Sequence, residues 1–275
     1  MQPRLSLITK LLLLSALTYA DTTRLPKRFW IGTALSYAGV YGVPMFLWYD
    51  WSTARGWRFF DDGGEWKQMD KLGHVWTTYH LSWIYRTWAE SCGYPSDKAR
   101  ILAALLAWSF QNSIEIADGF FPKWGASFWD VVANTMGTGL FWIADYLRPW
   151  RIDVRFSFFP SPYAAQRPDL LGRGLAQILK DYNGQTYWLV IMHASLPVGI
   201  AIGHGARGLL GGYGREPKSL IEAREYRRWL LSLDPHWEVL IRRSRWAMSI
   251  FVAIKTPFPA LVYERSALRV AWIYF

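Results

Sequence analysis

A chain of 275 residues has room for one large domain or two small ones. Hydrophobic residues make up 52% and aromatics 17%, with 18 Trp, yet mean hydropathy is only +0.02, too low for a chain that lies mostly in membrane spans. The net charge of +10, most of it beyond Arg151, suits an anionic surface, and the one cysteine, Cys92, excludes an intramolecular disulfide framework and a multi-cysteine metal site.

Residues 1–20 read as an export signal. Arg4 and Lys10 supply the basic start, Leu11–Leu17 the apolar run and Thr18-Tyr19-Ala20 a cleavage site. The run is shorter than the ~20 residues of a span, so cleavage is expected, with an uncleaved anchor as the other outcome. Export makes a membrane lipid or anionic glycolipid a better partner for the basic charge than nucleic acid. Phe29 to Trp48 is nearly all apolar and about long enough to cross a bilayer. Gly32, Gly39 and Gly42 allow close helix contact there, and Pro44 predicts a kink or an end. Arg24, Lys27 and Arg28 would lie outside the cytoplasm after cleavage, against the positive-inside rule. Inner and outer membrane both stay open.

The stretch from Arg55 to Gln68 is polar, with Asp61-Asp62-Gly63-Gly64 as a loop signal. Three helices are predicted next, over Met69–Ser91, Ser96–Ile116 and Ser127–Leu147, with Ser96 and Ser127 as N-caps. Together with Phe29–Trp48 they make a membrane-associated bundle of about four helices over residues 21–150. Composition changes after Pro149, and residues 151–275 read as a smaller, basic, β-rich domain, giving an α+β chain. Strands are predicted at Tyr187–His193, Gly199–Gly203, Tyr226–Leu233, Trp237–Arg242, Trp246–Lys255 and Ala267–Phe275. A helical reading survives for Ser219–Trp229. Gly203–Gly214 lacks the Lys-Ser/Thr ending of a phosphate loop and reads as a turn region. Ile273-Tyr274-Phe275 ends the chain as an outer-membrane barrel strand would, but the strands are too few for a barrel of eight.

Polar residues recur at helical intervals inside these apolar segments. Asp70 and His74 are four apart, Glu115 and Asp118 three apart, Asp130 and Asn134 four apart, so each pair shares one helix face. Charges among Trp, Leu and Val are costly unless they meet partners. Asp70, Lys71, His74, Glu115, Asp118, Asp130 and Asn134 are therefore expected to converge. Three readings stay open: a buried network that fixes helix docking, a lipid-headgroup site, and an acid–base centre. The spacing is neither His-x-x-x-His nor Glu-x-x-His, so no metal and no cofactor is assigned. Ser127 reads as a cap and not a nucleophile, because Gly-x-Ser-x-Gly is absent. His80 reads as a core or interfacial residue, and His193, His204 and His236 lack acidic neighbours at ligand spacing. The Arg242-Arg243-Ser244-Arg245 cluster would suit lipid phosphates.

The motifs Asp70-Lys71-x-x-His74, the acidic helix end Glu115 to Asp118, and Trp124-Gly125-x-Ser127-x-x-Asp130-x-x-Ala133-Asn134-Thr135-x-Gly137 resemble the envelope family catalogued as domain of unknown function 2279. More distantly they are similar to VanZ-like membrane proteins, associated with teicoplanin resistance, which carry a comparable Asp-Lys, Glu and Asp-x-x-x-Asn order. Pro160-Ser161-Pro162-Tyr163 and the stretch Lys180–Trp188 resemble the longer members of the first family. The resemblance implies an envelope address and names no reaction. Its members are often labelled lipoproteins, but with no cysteine near Ala20 lipid attachment is not expected. The expectation is a cell-envelope membrane protein that binds or organises a lipid or glycolipid, with envelope proteins as further partners. The alternative is a membrane-embedded enzyme that acts on an envelope lipid or cell-wall precursor through the acidic–histidine cluster.

Overall fold

The structure, a computed structural model, describes residues 27–122, 124–211, 224–237 and 252–275. The export signal, the basic Arg242–Arg245 cluster and, apart from Trp237 and residues 252–255, the strands predicted over Trp237–Arg242 and Trp246–Lys255 lie outside the described residues.

Four long helices come first: α1 (Lys27–Trp48), α2 (Met69–Ser91), α3 (Ser96–Asp118) and α4 (Phe128–Ile143). Helix α2 is the centre. Its Val75, Tyr79, Tyr85 and Ala89 recur at helical spacing, and the first three meet Ala103, Ala104 and Ala107 of α3 and Ala133 and Phe141 of α4. Alanines on the facing helix let the backbones come close. The closest approach is at Gly137 of α4, where a Cβ would stand 2.5 Å from the Val75 carbonyl oxygen and 3.0 Å from Cβ of Thr78. Ser127 caps α4 as expected, its Oγ accepting from the Asp130 backbone N–H at 3.1 Å. Ser96 does not cap α3. Pro95 holds the cap position, and the Ser96 hydroxyl instead donates to Glu90 Oε1 at 3.0 Å.

The segment expected to cross the membrane is helical, but no helix among the described residues is long and apolar enough to do so. Lys27 and Arg28 open α1, and Thr33, Ser36, Tyr37 and Tyr41 dilute its hydropathy. Its polar groups turn inward: the Tyr37 hydroxyl donates to the Leu106 carbonyl at 2.7 Å, and Ser36 Oγ lies 3.1 Å from Tyr85 Oη. Phe29 packs with Ala89, Cys92, Ala99 and Leu102. This is a helix that docks on α2 and α3.

The second half holds strands β1 (Trp150–Phe158), β2 (Gln185–His193), β3 (Val198–Arg207), β4 (Tyr226–Pro235), β5 (Phe258–Glu264) and β6 (Ala267–Tyr274). They form one antiparallel meander in sequence order. Two single-turn helices, α5 (Pro168–Leu171) and α6 (Gln177–Lys180), lie between β1 and β2, so the described residues hold six α-helices and not about four. β1 and β5 have no counterpart among the predicted strands. Residues 226–229 are strand where a helix was an option, because β4 pairs with β3 along its whole length. Residues 253–255 return to the free edge of β1: the Phe156 N–H donates to the Ala253 carbonyl at 2.9 Å and the Lys255 N–H to the Phe156 carbonyl at 2.8 Å. The sheet is thereby curled.

Its polarity is mixed in an unusual sense. The enclosed face carries Trp188, Val190, Met192, Leu230 and Val262, but also fully buried charges. Arg155 Nη1 donates to Asp234 Oδ1 at 2.7 Å, and Lys255 Nζ stands 3.5 Å from the other oxygen of that carboxylate. On the opposite face Phe156 and Tyr187 pack beside Trp76 of α2. Past that contact the same face continues as a registered row, Leu189–Ile202–Leu231–Leu261–Val270, that is largely exposed.

The Gly137 contact yields a paired test. Helical Gly→Ala normally stabilises by up to about 1 kcal/mol, and Gly139, with nothing within 4 Å of its would-be Cβ, is expected to follow that rule. At Gly137 the new methyl meets backbone of α2, so Gly137→Ala is expected to destabilise by about 1–3 kcal/mol. Urea unfolding of both variants reads the opposite signs.

Candidate functional site

Helix α2 starts from three consecutive left-handed residues, Trp66, Lys67 and Gln68, with φ of 50°, 51° and 63°. This conformation is costly for residues with side chains. The sheet helps to hold it through Arg227, whose Nη1 donates to the Lys67 carbonyl at 2.8 Å, and within the turn Gln68 Nε2 donates to the Gly63 carbonyl at 2.6 Å. The turn delivers Asp70, Lys71 and His74 to the end of the bundle, where α4 begins and α3 ends.

Six of the seven residues expected to converge meet around His74 and Lys71, while the Asp118 side chain pairs with Tyr49. Lys71 Nζ stands 2.7 Å from Asp130 Oδ1, 3.0 Å from Asp70 Oδ2 and 2.6 Å from Asp62 Oδ2. His74 Nε2 faces three carboxylates without reaching hydrogen-bond distance: Asp130 at 3.6 Å, Glu115 at 3.8 Å and Asp70 at 4.0 Å. The other ring nitrogen, Nδ1, lies 3.0 Å from Asn134 Oδ1, which also accepts from the Thr78 hydroxyl at 3.1 Å. Asn134 Nδ2 is turned to Asn112 Oδ1 at 3.4 Å, so its oxygen is the atom that faces the ring, and Nδ1 carries the proton. Glu115 Oε2 accepts from the Ser127 N–H at 3.3 Å, while its buried Oε1 has no hydrogen-bond donor among the described residues. Asp118 sits at the rim and accepts from the Tyr49 hydroxyl. Asp70, His74 and Asp130 each present one ligand-type atom within 4.8 Å of the others.

Burial and charge set the protonation. Burial pushes Glu115 up to about 9, Asp118 up to about 7 and Asp130 up to about 6, with neighbouring carboxylates adding to the rise. For His74 burial works against the charged ring, but the carboxylates of Asp130, Asp70 and Glu115 win and carry it up to about 9. Asp70 goes the other way. Burial opposes its charge, yet Lys71, His74 and a 2.7 Å hydrogen bond from the Tyr182 hydroxyl hold it below the usual carboxylate range.

Sequence reasoning missed Asp62, read there as part of a loop signal, and Tyr182, Tyr49 and Thr78. Thr78 extends the Asp70–His74 spacing by one more helical turn and could have been read from it. Tyr182 lies in the Lys180–Trp188 stretch quoted for the resemblance, but nothing local ties it to α2. Ser127 does more than cap: its hydroxyl also donates to Asp62 Oδ1 at 2.5 Å. Of the other histidines, His80 is buried with Nε2 at 2.6 Å from the Val154 carbonyl, a docking contact between α2 and β1.

Residues 55–145 match a family described as "Predicted periplasmic lipoprotein (DUF2279)". The match agrees with the resemblance carried by the motifs, and it spans every residue of the cluster except Tyr49 and Tyr182. The lipoprotein part of that description finds no counterpart at Cys92, which is buried at the end of α2. No curated protein and no solved structure matches the chain, and nothing in these comparisons bears out the VanZ-like resemblance.

The protonation pattern has a consequence for stability. Glu115, Asp118, Asp130 and His74 hold protons in the folded state that the unfolded chain, with carboxylates near ~4 and histidine near ~6.5, releases. Through these four groups the folded state binds more protons and stability falls as pH rises, while buried His80, pushed down to about 4, acts oppositely below about pH 6.5. In metal-free buffer the melting temperature is expected to drop between about pH 5 and pH 9, and Glu115→Gln should flatten the slope. The depressed Asp70 acts oppositely, its contribution being lost only at acid pH. A melting temperature that rises with pH over that range would contradict this arrangement.

Proposed function

We propose that this chain is an exported cell-envelope protein that seats on one leaflet of a membrane through the exposed face of its sheet and there binds and organises envelope lipid. The observation that carries the reading is the order of outward side chains along β4: Leu233, Leu231, Trp229, Arg227. Apolar, then aromatic, then cationic is the order met in passing from acyl chains through the interface to anionic headgroups. Neighbouring strands repeat it. Trp229 pairs with Tyr263 and Leu231 with Leu261, while Arg265 lies over the Tyr226 ring at the β5–β6 turn. Trp272, 79% exposed, lies toward the other end of the band.

The enclosed face supports the same reading. Charges inside and apolar rows outside are the polarity of β-structure that faces lipid. The depth of the band sets a limit on it. From Leu268 to Trp272 a strand rises roughly 13 Å, under half of the ~30 Å hydrocarbon core. The face therefore suits burial in one leaflet. With no helix among the described residues able to cross, the sheet takes over the role that the sequence had suggested for Phe29–Trp48. Export and the periplasmic family description are consistent with this address.

A second reading is favoured by one observation at the cluster. Glu115, pushed up to about 9, stands beside an Asp70 held ionised, and opposed carboxyl groups of this kind serve as general acid and general base. Under that reading the protein turns over an envelope lipid or cell-wall precursor, and Asp70→Asn and Glu115→Gln stop turnover in a folded protein.

Flotation with vesicles of phosphatidylethanolamine and phosphatidylglycerol tests the primary reading. The purified protein should float with the vesicles and resist a high-salt wash. Leu231→Glu and Val270→Glu, both on the exposed face, should remain with the unbound fraction at unchanged circular dichroism. Failure of the native protein to float, or a soluble dimer that Leu231→Glu dissociates, would overturn it.

A further inference from the structure

The acidic–histidine cluster holds more carboxyl groups than basic ones. Asp62, Asp70, Glu115 and Asp130 crowd round two basic groups, Lys71 and His74. Lys71 serves one side, where it meets Asp62, Asp70 Oδ2 and, at 2.7 Å, Asp130 Oδ1, the oxygen that Asp130 also turns toward His74. On the other side stands His74 Nε2, facing three carboxylate oxygens at 3.6, 3.8 and 4.0 Å. These separations are too long for hydrogen bonds. They match the spacing of atoms that share one ion: ligands about 2.1 Å from a metal lie about 3 to 4.2 Å from each other.

We propose that Asp70, His74 and Asp130 bind one first-row divalent metal ion, with Glu115 closing the site from α3 and Asn134 fixing the imidazole. Three further observations point the same way. Glu115 is 3% exposed, and its Oε1, aimed at His74, has no donor among the described residues. Nδ1 of His74 donates its hydrogen bond to Asn134 Oδ1, so that Nε2, which points among the carboxylates, is the nitrogen that would lose its proton to an incoming metal ion. A metal-ligating histidine is held in this way, its second nitrogen donating to an oxygen that sets tautomer and orientation. Asp70 is divided between two tasks, Oδ2 toward Lys71 and Oδ1 toward His74 and the Tyr182 hydroxyl. One imidazole with carboxylates suits Zn²⁺ or Mn²⁺ better than Ca²⁺, which prefers six to eight oxygens. The site is open enough to load, since the Asp70 side chain is 25% exposed and that of His74 17%.

The full chain, stripped with EDTA and titrated calorimetrically with Zn²⁺ and with Mn²⁺, tests the proposal. The expected result is one ion per chain, a raised melting temperature and a weaker response to Ca²⁺. Co²⁺ should give a d–d absorption band that His74→Ala abolishes. Asp70→Asn, at the partly exposed rim, should weaken binding by more than tenfold. Asn134→Ala, which keeps all three ligands but frees the ring, should weaken it roughly 10- to 100-fold. His193→Ala, at a half-buried histidine at the far end of β2, should change nothing. Should Asn134→Ala fail to fold, Asp70→Asn and the Co²⁺ spectrum still decide. No saturable binding by the native protein, or binding that Asp70→Asn and His74→Ala leave intact, would overturn the proposal.

Discussion

Asn134 is the residue on which both the bundle and the cluster depend. Its side chain is fully buried, and it joins three helices: its oxygen accepts from His74 and Thr78 of α2, its nitrogen reaches Asn112 of α3, and its backbone belongs to α4. A buried amide must satisfy its polar atoms inside the protein or cost several kcal/mol. That requirement fixes the rotation of all three helices about their axes. One turn along α4, Gly137 fixes their separation by admitting the α2 backbone. Rotation and separation together bring Asp130 and Glu115 to His74, so the packing of the bundle and the geometry of the charges are set by the same few contacts.

The sheet meets the same difficulty with charge differently. Arg155, Asp234 and Lys255 are buried almost completely, which is tolerable only because each meets a partner: Arg155 and Lys255 share Asp234, and the lysine also donates to the Leu233 and Thr256 carbonyls at 2.8 and 2.7 Å. Residues 253–255 deliver Lys255 while covering the edge of β1. Curling the sheet thus encloses the charges, and pairing the charges holds the curl. The enclosed face thus mixes apolar side chains with paired charges, while the row Leu189–Ile202–Leu231–Leu261–Val270 stays on the opposite face.

How much of this was legible in the sequence follows from how local each signal is. Helices α2, α3 and α4 announce themselves by apolar spacing, and Ser127 by its capping chemistry. The convergence of Asp70, His74, Asp130 and Asn134 was readable because helical intervals place each pair on a face and burial forces the faces together. Asp62 and Tyr182 were not, since their roles arise from contacts with no signature at their own positions. The apolar count of Phe29–Trp48 overstated its case: hydroxyl-bearing residues in that run found partners on α2 and α3. β1 was hidden because Arg151, Asp153 and Arg155 break the expected apolar alternation, and only the partners waiting at Tyr79 and Asp234 make those charges compatible with a buried strand.

The cluster is a joint product of the two halves of the chain. The bundle supplies His74, Asp130 and Glu115, but the hydroxyl that holds Asp70 comes from Tyr182, just before β2. Tyr187 of that strand packs against α2 where Gly73 leaves room, its hydroxyl 3.0 Å from the position a Cβ would take. Arg227 of β4 meanwhile steadies the left-handed turn that starts α2. Separating sheet from bundle would release Asp70 and let that turn relax. Anything that binds the assembled cluster and not the separated halves must therefore stabilise their docking, by an amount that grows with its concentration relative to its dissociation constant. Occupancy of the cluster and the attachment of the sheet to the bundle are then two readings of one equilibrium.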